Sequence, residues 1–264
     1  MSRASIDSAP TAPWLWAAAG ALAGAVAALV LFVPASWLAG RIEASTGGQV
    51  QLADPRGTVW SGSAQLVLTG GRGSRDAAAL PTRLQWHMRP AMTGLRMTLS
   101  TDCCMPRPMA LVLRPGLGSF SVDVDDSQTR WPAGLLAGLG TPWNTLQLEG
   151  DLQVRTQRLS IQWAQGRTVI AGNAELLARD MASRLATVRP MGSYRLELTG
   201  GAAPTLRLAT TQGPLQLSGN GRWVGSRLRF TGEASAAPDR EAALSNLLNI
   251  IGRRNGTRSV ITIG

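Results

Sequence analysis

The chain has 264 residues, 44% hydrophobic and only 16% charged, which is enough for one folded domain with an appendage. Its formal net charge of +10 rests on 26 basic residues, all of them arginine. They are spread singly, with the densest group at Arg253, Arg254 and Arg258. There is no zinc-finger spacing, RNP-like run or basic helix, so the composition argues against nucleic acid and favours a basic surface facing an anionic membrane.

Trp14 to Val33 reads WLWAAAGALAGAVAALVLFV, 20 residues without a charge. About 20 helical residues cross a bilayer core, and Trp14 and Trp16 at one end with Trp37 at the other suit the two interfaces. Pro13 can open the helix, and Pro34 can kink or end it. The organisation expected is a cytoplasmic tail (1–13), a transmembrane helix (14–38) and a β-rich domain (39–264). The rival is a cleaved signal peptide with Val33-Pro34-Ala35 as cleavage site. Its apolar region would normally be about 7–15 residues, and the N-terminal region holds only Arg3, offset by Asp7, so a retained anchor is expected. Charge does not orient it, because Arg3 and the α-amino group on one side face Arg41 and Arg56 on the other. Gly20, Gly24 and Ala28 line one helix face at the spacing that lets helices approach in lipid. Such spacing arises readily in an alanine-rich run, but self-association through this face is one partner expectation.

The next stretch is LADPRGTVWSGSAQLVL, Leu52 to Leu68. Asp54-Pro55-Arg56-Gly57 has the residues of a type I turn and is predicted to close a first hairpin. Val59 and Trp60 then point to opposite faces of the returning strand. Gly62 marks a bulge or a close backbone approach, and Trp60 is a candidate core residue.

From there the period is two. Leu84, Trp86 and Met88 alternate with Arg83, Gln85 and His87; Leu159, Ile161 and Trp163 alternate with Arg158, Ser160 and Gln162. Tyr194, Leu196 and Leu198 oppose Arg195, Glu197 and Thr199, which puts Tyr194 on the apolar side. TLRLAT, PLQLSG and SRLRFTG repeat the pattern, and a loose L-x-L-x-G shape recurs. The fold class predicted is mainly β: an N-terminal transmembrane helix, then a curved antiparallel sheet of hairpins with a C-terminal covering helix. RWPAGLLAGLG reads as a short apolar helix. In DREAALSNLLNIIG, Leu244, Leu247, Leu248 and Ile251 follow helical spacing, Gly252 stops the run, and the helix should cover part of the apolar face.

Candidate chemistry is sparse. The lone His87 sits on a polar face, and no nucleophile elbow accompanies it. Asp123, Asp125 and Asp126 lack the glycine and distal glutamate of a calcium loop. Cys103 and Cys104 are adjacent; they form a vicinal disulfide in a turn or stay a reduced pair, and with one histidine they cannot build a zinc site. No metal, cofactor or enzymatic activity is expected.

GTVWSGSAQL after a single membrane helix resembles the protein N family of the type II secretion system (GspN). The motif residues are Gly57, Thr58, Val59, Trp60 and Gly62. MGSYRLELTG around Tyr194, TTQGPLQLSGNGRW, LRFTGEASA and ALSNLLNIIGRRNG follow in the family's order, and the stretch from 71 to 140 is the least distinctive. The resemblance implies a single-pass inner-membrane protein with a periplasmic β-rich domain. It implies an accessory role in the export of folded proteins across the outer membrane, with other inner-membrane platform subunits and the bilayer as partners. It carries over no catalytic residues. The second expectation is a lipid-handling or envelope-maintenance module, since a curved sheet with an apolar inner face also resembles AsmA-like proteins. A trough plugged by Leu244, Leu247 and Leu248 favours the first, and an open one the second.

Overall fold

The computed structural model describes residues 14–164, 167–225 and 227–264; the expected tail at 1–13 lies outside them. Helices α1 (Trp14–Leu31) and α2 (Ala35–Ser45) form an N-terminal arm. The strands are β1 (Val50–Gly57), β2 (Ser61–Thr69), β3 (Ala77–Ala79), β4 (Leu84–Ala91), β5 (Gly94–Ser100), β6 (Met109–Gly116), β7 (Ser119–Val124) and β8 (Ser127–Pro132). A 3-10 segment (Ala133–Leu139) and the short α3 (Trp143–Leu146) lead to β9 (Leu148–Ala164) and β10 (Arg167–Ser183). Then come β11 (Gly192–Thr199), β12 (Thr205–Gln212), β13 (Leu215–Val224), β14 (Arg227–Ala236), α4 (Glu241–Ile251), β15 (Arg253–Asn255) and β16 (Arg258–Ile263).

All strands join one antiparallel sheet that does not close on itself. Its path runs β1-β2-β4-β5-β6-β7-β9-β10-β11-β12-β13-β14-β16-β15, so nearly every strand pairs with its neighbour in sequence. Two strands are shared lengthwise: β2 pairs with β4 near its start and β3 near its end, while β9 pairs with β8 and then β7. Antiparallel pairing sorts the connections onto two long edges. The β1–β2, β4–β5, β6–β7, β9–β10, β11–β12 and β13–β14 connections share one edge, and α4 and the Cys103-Cys104 turn belong to the other.

The two-residue period makes one face of the sheet apolar. Met88 lies opposite Met97, Met97 opposite Leu111, Leu111 opposite Val124, and Val124 opposite Leu159. Farther along, Val154, Leu176, Leu196 and Leu208 form another such row. Between the rows β9 carries a bulge at Arg158 (φ 47°), which keeps apolar residues on the same face along both 17-residue strands. Three elements cover parts of this face. α2 packs with Ala35 against Leu52, Ala64, Trp86 and Met88; the 3-10 segment brings Leu135 onto Leu80 and Cys104; α4 buries its leucines among Leu215, Ala234 and Tyr194.

Two expectations change. Asp54-Pro55-Arg56-Gly57 does not turn the chain. Asp54 takes a left-handed conformation (φ 47°) and the segment forms a bulge inside β1. Arg56 and Arg83 both grip the Asp54 carboxylate, at 2.8 and 2.9 Å, which holds it below the usual aspartate range. The reversal comes one step later, so Val59 and Trp60 lie in the connecting loop and not on β2. Nor is 14–38 one helix: α1 ends at Leu31, Pro34 makes an isolated bridge to Thr58, and Trp37 sits on α2 with the Arg41 guanidinium 5.1 Å from its ring. Among the described residues no helix is long and apolar enough to cross a membrane.

Candidate functional site: the joint between arm and sheet

The loop after β1 begins at Gly57 (φ 85°), where an added Cβ would stand 2.5 Å from the Ser61 carbonyl oxygen. The Thr58 amide donates to that same oxygen (2.9 Å), and the Ser61 amide donates to Thr58 Oγ1 (3.2 Å). This tight knot reaches outward to the arm through two hydrogen bonds and the bridge they support. The Val59 amide donates to the Val33 carbonyl (2.9 Å), Trp60 Nε1 donates to the Val30 carbonyl (2.8 Å), and Pro34 bridges Thr58. The carbonyls of α1's last turn have no partner within the helix, and Trp60 supplies one.

On the other side the knot is tied to the sheet. Trp86 Nε1 donates to the carbonyls of Thr58 (3.2 Å) and Val59 (3.0 Å), and the Met88 amide donates to the Trp60 carbonyl (2.6 Å). Gly62 lets this happen, because a Cβ there would meet Trp86 Cζ2 at 2.6 Å and the Arg56 carbonyl at 2.6 Å. The G-T-V-W-S-G run is therefore a mechanical coupling between arm and sheet, built from backbone geometry. Trp86, Val30 and Val33 complete it. Trp86 showed only its strand alternation in the sequence, and the two carbonyls carry no side-chain signal.

The other candidate residues lie apart from the joint. Gly20, Gly24 and Ala28 stay exposed on α1, with no heavy atom within 4 Å of a Cβ built at either glycine. Cys103 and Cys104 are bridged in a turn between β5 and β6. Cys104 is buried against Leu80 and Leu135, and the Cys103 amide donates to Thr82 Oγ1 (3.3 Å). Leu244, Leu247 and Leu248 are fully buried and Ile251 is partly buried against the same cluster; Ser259 Oγ donates to the Leu248 carbonyl (2.5 Å) near the end of α4. Tyr194 is buried with its hydroxyl unpaired, and burial raises its pKa well above the ordinary tyrosine value. Asp123 pairs with Arg114, Asp125 with Arg96, and Asp126 accepts the Arg158 amide. No group of three metal-binding side chains occurs among the described residues, and the hollow beside Val188, Pro214 and Arg240 is open to solvent.

The family model described as type II secretion system (T2SS), protein N, matches residues 48–261. The chain belongs to this family. No curated protein and no solved structure gives a match. The protein N match begins at Gly48, so it takes in the knot, the sheet up to Ile261 and α4, and leaves α1 and α2 outside. Membership makes the chain a type II secretion component and implies that it meets other components of that system.

Proposed function

We propose that the chain is an accessory, non-enzymatic subunit of the type II secretion machinery. In this reading α1 tethers it to the inner membrane, the sheet stands in the periplasm, and it assists export of folded proteins beside the other platform subunits. The observation that carries the reading is the protein N match along nearly the whole sheet.

Tethering is supported by α1 itself. It has 18 uncharged residues, and every described side chain is exposed. At about 1.5 Å per residue α1 alone is ~27 Å long, short of a hydrocarbon core of ~30 Å, and in this reading the bilayer thins to meet it at a cost of fractions of a kcal/mol per Å. The bridged Cys103-Cys104 suits an oxidising compartment. The buried Leu244, Leu247 and Leu248 plug the apolar face at the β14–β16 end, as expected of a structural subunit and not of an open lipid conduit.

A deletion strain tests the proposal. Secreted proteins should accumulate folded in the periplasm, in whole or in part, while resistance to detergents and large antibiotics is unchanged. Normal secretion with a leaky outer membrane, or phospholipid copurifying at one or more per chain, would replace this reading with the lipid-handling one.

A further inference from the structure

The large apolar side chains left exposed outside the arm are not scattered. Of nine among the described residues, seven lie along the edge that carries the arm–sheet knot, and only Trp143 and Ile250 lie elsewhere. Met92 and Leu117 stand fully exposed at the β4–β5 and β6–β7 hairpin tips. Phe120 stacks on Trp163 at 6.0 Å just behind the next tips, and Val224 and Ile263 continue the row. A hairpin tip gains nothing in water from a methionine or leucine that touches no neighbour.

Arginines run behind the same tips. Arg96 and Arg114 are neutralised by Asp125 and Asp123, and Arg89 donates to His87. Arg167, Arg207, Arg222, Arg227 and Arg229 are exposed and make no ion pair among the described residues. The row is thus apolar at its crest and cationic one or two rungs behind. That is the pattern of a surface that dips apolar side chains below lipid headgroups while guanidinium groups take the phosphates. The crest is continuous with the arm, because the carbonyls of Val30 and Val33 are bonded to the Thr58–Trp60 loop on this edge.

We infer that this edge is a membrane-contact rim, on which the hairpin tips rest in the headgroup layer of an anionic phospholipid bilayer. The sheet is then held by a row of shallow contacts as well as by α1, which limits its swing about the Leu31–Pro34 joint. The inference rests on the tethering in the reading above, and the experiment separates the two.

Full-length protein is placed in vesicles of phosphatidylethanolamine and phosphatidylglycerol containing a doxyl-labelled lipid. An environment-sensitive fluorophore is attached at Met92→Cys, Leu117→Cys or Val224→Cys. Leu22→Cys reports α1, and Thr257→Cys reports the opposite edge. All five positions are exposed, so folding is spared, and the native cysteines are bridged. The rim labels should shift to the blue and be quenched several-fold more than Thr257→Cys. The effect should shrink in phosphatidylcholine vesicles and when Arg222 and Arg227 are both changed to Gln. Rim labels no more quenched than Thr257→Cys overturn the rim, whether or not α1 is quenched. Equal quenching in neutral and anionic vesicles overturns the preference for anionic lipid. A quenched rim with an unquenched Leu22→Cys upholds the rim and removes the tether instead.

Discussion

Single side chains in this protein do separable jobs. Trp60 holds α1's end through one indole N–H, so Trp60→Phe keeps an aromatic side chain of smaller size and removes that bond, worth about 0.5–1.5 kcal/mol. The melting temperature should barely move, while hydrogen exchange and proteolysis rise at residues 30–34. Unchanged protection there would mean that Trp60 does not couple arm to sheet. Gly62→Ala drives a methyl into Trp86 and a carbonyl oxygen, so it should cost about 1–3 kcal/mol of global stability, read as a lower melting temperature. Tyr194 gives a cleaner case. The chain has one tyrosine and no lysine, and no cysteine is free. Little but Tyr194 therefore titrates between pH ~9 and 12. Burial favours its neutral form in the native state, so above pH ~10 the unfolded chain gives up a proton that the native chain keeps. Stability should fall as pH rises through that range, and Tyr194→Phe should flatten the slope. Because the hydroxyl is buried without a partner, Tyr194→Phe should also leave stability at neutral pH unchanged or higher.

At the scale of elements, α4 matters more than its 11 residues suggest. Leu248→Ala should cost about 2–5 kcal/mol in a thermal melt, since the side chain is fully enclosed. Ile251→Ala, at the partly covered end, should cost less. α4 was legible in the sequence because four apolar residues at helical spacing stand between Asp239 and Gly252 with nothing to contradict them. The strands were legible for the same reason at period two. Asp54-Pro55-Arg56-Gly57 was misread because what decides its shape is Arg83, 29 residues from Asp54, whose guanidinium reaches the Asp54 carboxylate and carbonyl. Local turn chemistry cannot register a partner that distant. The full length of β9 was hidden too. Its bulge at Arg158 reverses the alternation midway, so only Leu159 to Trp163 kept a clean pattern. Of the joint, the glycines and Trp60 stood out as residue types, but their partners are mostly main-chain atoms, which no side chain announces.

For the whole molecule, an open sheet leaves two terminal strands that could pair with other chains. Both are blunted. β1 is interrupted by the Asp54-Pro55 bulge, and β15 is three exposed residues, Arg253, Arg254 and Asn255. The neighbour-to-neighbour order of the sheet also has a kinetic side. Most β folds must close long loops before any strand finds its partner, and they fold slowly for that reason. Here each strand meets a partner just made or about to be made. The sheet can therefore grow as a front, one hairpin at a time, behind a chain that is still emerging. The natural starting point is the hairpin of β9 and β10, the two longest strands, each 17 residues. Pulsed hydrogen exchange during refolding should find their amides protected first, with β1–β2 and β14–β16 following. Simultaneous protection of all strands would show instead that the sheet assembles as one cooperative unit.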